Sequence, residues 1–170
     1  MTNPRRPFRL NVGFIVHQEV GYKHEFPFDF EQIQISDDLD LRHFEGVATI
    51  GRTPQGLIVQ ADFYAETTLE CVRCLTEFER GLNWNITELY AFNKKSVTES
   101  GLIMPDDAHI DLQPLIREYA LLEIPINPIC RPGCKGLCSV CGEDLNQNDC
   151  GHKDIAEDSP FSALKDLLGE

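Results

Sequence analysis

A chain of 170 residues, 42% hydrophobic and 25% charged, can bury one sizeable core, so a single soluble domain is expected. A formal net charge of −13 excludes a broad basic surface of the kind that holds nucleic acid by displacing counterions from phosphates. No apolar run reaches the length of a transmembrane helix, and the N-terminus lacks a secretory signal's apolar core and cleavage site. A cytoplasmic protein is therefore expected, in which seven cysteines are reduced thiols or metal ligands rather than a disulfide framework. An acidic surface favours encounter with a basic partner. Arg5, Arg6 and Arg9 form one small basic arm without an acid near it in the sequence.

The first third reads as extended pieces: FRLNVGFIV from Phe8, YKHEFPF from Tyr22 and a short EQIQI from Glu31. Pro27 cannot donate to a central ladder, so its segment is predicted to be an edge or a connection. Asp37 and Asp38 mark a turn, a strand follows over 41–53, and Thr53-Pro54-Gln55-Gly56 is a second turn. Between Leu57 and Leu69 every odd residue is apolar or threonine, the alternation of a long half-buried antiparallel strand. Phe78, Leu82, Trp84, Ile86, Tyr90 and Phe92 share one parity and predict the return strand, interrupted by Arg80 and Glu88. Tyr64, Trp84 and Tyr90 have rings that can stack on RNA bases, but their alternating positions favour core or partial core. Cys71 and Cys74 fall at the tip of this hairpin, where a turn can aim both thiols at one point.

Residues 93–108 are polar, broken by Gly101 and Pro105, and predict a mobile loop. A helix then follows, capped by Asp111, with Leu112, Leu115, Ile116, Tyr119 and Leu122 at helical spacing and Pro114 in its first turn. Pro125 and Pro128 end it. Ser159-Pro160 opens a short C-terminal helix over Phe161 to Leu168. The fold expected is α+β: a mostly antiparallel sheet with a long hairpin, one or two helices and a C-terminal cysteine-rich zinc-binding segment. One domain spans 1–170, β-rich over 1–92, looped over 93–108, with helix, knuckles and a final helix over 109–170.

The chemistry is concentrated between Cys130 and His152, which hold five of the seven cysteines and one histidine. Cys138-Ser-Val-Cys141-Gly142 has the form of a zinc knuckle, because glycine after the second thiol accepts positive φ and lets N–H groups turn to the sulfurs. A distant Cys71-Val-Arg-Cys74 makes the pattern specific. Two ligand sets are compatible with the spacing. In one, Cys71, Cys74, Cys138 and Cys141 hold a single ion. In the other, Cys71 and Cys74 join Cys130 and Cys134, while Cys138, Cys141, Cys150 and His152 form a second site. Zinc is expected over iron, although four thiolates suit both. A zinc bound by four thiolates carries two net negative charges, so metal adds to the acidity.

A redox CxxC is expected to open a helix, and this one lies between strands. Inert buried cysteines explain any one residue but not eight grouped ligand types. Catalytic zinc needs an open position and a general base, and the H-x-E with P-C-x-x-C signature of deaminases is absent. An enzyme is therefore not expected. A thiol-redox or zinc-dependent enzyme and a generic zinc-stabilised interaction module are the alternatives.

RLNVGF, LECVRCLTEFE, PINPIC, KGLCSVCGEDLN and PFSALKDLL together resemble the YceD family of bacterial large ribosomal RNA accumulation proteins over nearly the whole chain. The resemblance places the family's paired cysteines on Cys71, Cys74, Cys138 and Cys141, with Cys130 and Cys134 as a variable pair. His152 stands where relatives often carry another cysteine. Because members differ in this set, the resemblance implies a metal that serves folding. It also implies a role in synthesis, processing or accumulation of large-subunit ribosomal RNA. The partner expected is a basic ribosomal protein or a pre-ribosomal large-subunit particle, with any RNA contact indirect.

Overall fold

The structure is a computed structural model that describes residues 6–152. The expected helix over 161–168, with Ser159-Pro160 at its start, lies outside the described residues, as does Arg5. The chain forms β1 (Arg9–Asn11), α1 (Gly13–Val16), β2 (Lys23–Ser36), β3 (Leu39–Arg52), β4 (Gly56–Glu70), β5 (Glu77–Ala91), β6 (His109–Asp111) and α2 (Gln113–Glu123). Four long strands make one antiparallel sheet in the order β2-β3-β4-β5, and β1 pairs with β6 in a second, two-stranded sheet. The α+β class expected from period and turn signals is what the chain adopts.

Two compact units divide the described residues: the chain up to Leu69 with Phe78–Ile126, and Glu70–Glu77 with the chain from Asn127. The first unit holds the hydrophobic core. Odd residues of β4 from Leu57 to Ala65 are buried, as are Leu82, Trp84, Ile86 and Tyr90 of β5. Trp84 and Tyr90 are thus core residues, while Tyr64 lies half-buried on the opposite face. Phe8, Leu10, Val12 and Ile15 from the N-terminal elements, with Ile110, Leu112, Leu115, Ile116 and Ala120, complete the same core.

Several expectations are corrected. The pieces YKHEFPF and EQIQI are not separate: one strand, β2, runs through both for 14 residues, and it lies at the sheet's edge, one of the two places expected of the Pro27 segment. Proline is tolerated because β2 is an edge strand. FRLNVGFIV is not wholly extended, since Gly13–Val16 turns into a short helix. The N-cap of α2 is Leu112 rather than Asp111, although the Asp111 carboxylate still accepts the Gln113 N–H at 3.0 Å. Leu122, placed on the apolar stripe by spacing, is 75% exposed. Arg9 is not free of acids, because it pairs with Asp107 across 2.5 Å. Within the 93–108 stretch, Leu102 and Met104 pack on the core, and Ile103 bridges to Ala91.

Candidate metal centres

The described residues of the second unit bury almost nothing apolar. Among its described residues the buried ones are Cys71, Cys74, Cys134, Gly136 and Cys138. Described residues that build no aliphatic core among themselves need another source of cohesion. The unit's own geometry indicates which one.

Two loops carry the same backbone device. In the turn between β4 and β5, the Leu75 N–H donates to the Cys71 carbonyl at 2.9 Å, and in the later loop the Gly142 N–H donates to the Cys138 carbonyl at 2.9 Å. Both acceptor loops end in the left-handed region, with φ of 58° at Leu75 and 76° at Gly142. Each turn brings its two thiols to one side. Glycine is the natural residue for that conformation, and a leucine there bears a Cβ clash. Leu75 is also 57% exposed, so it returns little by burial. Leu75→Gly is expected to stabilise the unit by about 0.5–1 kcal/mol, measured by thermal or urea unfolding of the metal-loaded protein. A loss of stability would show that the leucine side chain is anchored.

Further contacts close the two loops on each other. The Leu137 N–H donates to the Arg73 carbonyl and the Val72 N–H to the Pro128 carbonyl, each at 3.0 Å. The Arg73 guanidinium donates to the Cys134 carbonyl, also at 3.0 Å. Gly136, at φ 79°, passes so close to Arg73 that an added Cβ would stand 3.0 Å from its carbonyl oxygen.

All eight predicted ligands come together in two groups. Cys71, Cys74, Cys130 and Cys134 form one, and Cys138, Cys141, Cys150 and His152 the other, with donor atoms within 4.8 Å of one another in each. The structure therefore pairs Cys71 and Cys74 with Cys130 and Cys134, not with Cys138 and Cys141 as the single-site arrangement requires. Cys71 and Cys134 sulfurs lie 3.9 Å apart, and those of Cys74 and Cys130 lie 3.7 Å apart. A regular tetrahedron with metal–sulfur bonds of about 2.3 Å has edges of about 3.8 Å. In the second group His152 Nδ1 stands 3.8 Å from the Cys138 sulfur and 3.4 Å from that of Cys150. Sulfur–nitrogen edges of about 3.6 Å are expected when a shorter metal–nitrogen bond shares the shell. Both donor sets could hold a metal ion. His17, His43 and His109 belong to neither.

Electrostatics point the same way. Burial works against ionisation at Cys71, but N–H groups of Cys130, Arg73 and Cys74 outweigh it and bring the thiol down to about 6. N–H groups of Cys141 and Val140 bring Cys138 to about 6 as well. Burial and hydrogen bonds with the Cys74 and Cys71 thiols push Cys130 up to about 12. Burial also opposes ionisation at Cys134, but hydrogen bonds from Asn146 and Gly136 outweigh it. Two thiols of the first cluster thus ionise readily while Cys130 resists, because like charges crowd a few ångströms apart. A divalent cation at the centre removes that penalty.

Asn146 is a contributor that spacing could not reveal. Its side-chain amide donates to the Cys134 sulfur at 3.4 Å, and its oxygen accepts the Lys135 N–H at 2.9 Å. It orients a candidate ligand and braces the loop carrying it. The only sequence signal was its place at the end of GLCSVCGEDLN.

Comparison with known proteins shows the family. An uncharacterized protein of Mycobacterium tuberculosis is 33% identical over 138 residues, which cover 78% of this chain and 62% of the relative. The chain thus spans less than two thirds of that relative's length. A Bacillus subtilis protein, also uncharacterized, is 27% identical over 86% of this chain and 90% of its own length. An Arabidopsis thaliana protein named large ribosomal RNA subunit accumulation protein YCED homolog 1, chloroplastic, is 38% identical over 37% of this chain and 20% of its own. No solved structure matches. The family described as large ribosomal RNA subunit accumulation protein YceD matches residues 59–168, a stretch containing all eight clustered ligands, and this chain belongs to that family.

Proposed function

We propose that the protein promotes accumulation of large-subunit (23S) ribosomal RNA as a metal-stabilised adaptor in the cytoplasm. Two zinc ions hold its cysteine-rich unit together, one on Cys71, Cys74, Cys130 and Cys134, the other on Cys138, Cys141, Cys150 and His152. The metal reading rests on two complete four-donor shells in a unit whose buried side chains, among the described residues, are cysteines. Three sulfurs and an imidazole form a shell that zinc commonly takes, which favours zinc over iron. Full shells leave no open position for a bound water, so the metal is structural rather than catalytic.

The ribosomal part rests on family membership and on the names of the plant relatives. The partner is a basic ribosomal protein or the pre-ribosomal large-subunit particle that carries it. A charge of −13 favours such a partner over bare RNA. Deletion of the gene is expected to lower large-subunit RNA relative to small-subunit RNA, and plasmid-borne protein to restore the ratio. Unchanged ratios in the deletion strain would falsify this reading.

A further inference from the structure

Packing covers one face of the four-stranded sheet and, among the described residues, leaves the other bare. The covered face presents Phe28, Phe44, Phe63 and Trp84 to Phe8 and the helices. On the bare face lie Glu25, Pro27 and Asp29 of β2, Glu45 and Val47 of β3, and Asp62 and Tyr64 of β4. Strand register sets Asp29 directly opposite Glu45, and Glu45 directly opposite Tyr64, with Val47 opposite Asp62. Two carboxylates facing each other across adjacent strands repel, so this pairing weakens the sheet. Among the described residues, the ion pairs on this sheet and its turns engage Arg42 with Glu79 and Arg117 with Asp38. They leave Asp29, Glu45 and Asp62 without a cation.

These three carboxylates share a shallow recess of about 500 Å³ with Pro27, Val47 and Tyr64. Val47 is 40% exposed there, where a charged side chain would be the ordinary choice. Apolar side chains and an aromatic ring rimmed by carboxylates match the two halves of a lysine or arginine side chain. The methylene stem lies on the apolar part and the cationic head reaches the acids or the ring. A phosphate backbone meets like charge at Asp29, Glu45 and Asp62. The chain's own residues 153–170 are an equally poor occupant, having five acids against two lysines.

We propose that this outer face, centred on Asp29, Glu45 and Asp62, is the docking surface for a lysine- and arginine-rich protein segment. The inference deepens the basic-partner reading and rests on it. The test uses the full chain and a fluorescent synthetic peptide of alternating arginine, lysine and alanine, followed by anisotropy at low salt. Neutralising the face with Asp29→Asn, Glu45→Gln and Asp62→Asn together is expected to weaken binding about tenfold. Removing the same charge elsewhere, with Glu99→Gln, Asp106→Asn and Glu123→Gln, is expected to change it by less than about twofold.

Equal weakening by both triples overturns the surface assignment and leaves the basic-partner reading standing, since net charge alone then attracts the peptide. No binding by the unaltered protein overturns the basic-partner reading itself. Tighter binding of a single-stranded RNA oligonucleotide than of the peptide overturns both. The thermal midpoint of the face triple is expected to hold or rise as the Asp29–Glu45 repulsion disappears. Independently of any substitution, a photo-crosslinking version of the peptide is expected to label β2, β3 and β4, and labels confined to other segments overturn the proposal.

Discussion

Chelation of bound metal is expected to unfold the cysteine-rich unit while the four-stranded sheet keeps its protection. The reason is compositional. Inside the unit formed by Glu70–Glu77 and the chain from Asn127, the buried side chains among the described residues are thiols. Hydrophobic burial among these described residues is too small to hold them together. Structural zinc sites contribute on the order of 10–16 kcal/mol in small peptides, enough to decide folding by themselves. Hydrogen exchange should therefore show Leu75, Leu137 and Gly142 amides opening on chelation, because their carbonyl acceptors at 2.9–3.0 Å belong to the same unit. Amides of Ile50 and Val59, paired in the centre of the sheet, should exchange slowly with or without metal. Equal opening of both sets would sink the separation, and no change in either would show that the thiols hold no structural metal.

Stoichiometry sharpens the same prediction. Elemental analysis is expected to return about two zinc ions per chain, and Cys71→Ser to return about one. Loss of both ions in Cys71→Ser would mean that the second shell forms only on the first. A value of one in the unaltered protein would contradict two independent shells.

Phe44→Ala is expected to cost about 3–5 kcal/mol of global stability in urea unfolding followed by Trp84 fluorescence. Phe44 is wholly buried and stands at the centre of an aromatic cluster. Its ring centroid lies 5.1 Å from that of Phe63, 5.4 Å from Phe8, 6.0 Å from Trp84 and 6.2 Å from Phe30. Removing it leaves a void bordered by other large rings, which cannot collapse into the space without leaving their own contacts. Phe44→Leu keeps much of the volume and should cost considerably less. Metal content should survive both substitutions, because no ligand lies in the first unit. Falling zinc content in folded Phe44→Leu would contradict that independence.

Much of this molecule could be read from residue order because its signals are local. Alternation from Leu57 to Leu69 places side chains on opposite faces of any extended chain, so β4 and its buried parity followed without knowledge of its neighbours. Turn chemistry at Asp37-Asp38 and at Thr53-Pro54-Gln55-Gly56 separated the long strands correctly. The eight ligand types were equally visible, since thiols at knuckle spacing with a following glycine have few other uses.

What residue order could not decide was set by contacts between distant segments. Pro27 reads as an edge or a connection, and only the sheet order shows which of the two it is. Asn146 has no recognisable role until the fold brings it to the Cys134 sulfur. Above all, CxxC spacing says that two thiols share an ion but not which distant pair completes the shell. Cys130 and Cys134 come to the Cys71 and Cys74 group, where Val72 and Arg73 of the hairpin tip bond to Pro128, Cys134 and Leu137. Which residues are candidate ligands is a property of short segments, whereas their grouping goes with backbone hydrogen bonds, such as Val72 to Pro128 and Leu137 to Arg73, closed between distant segments.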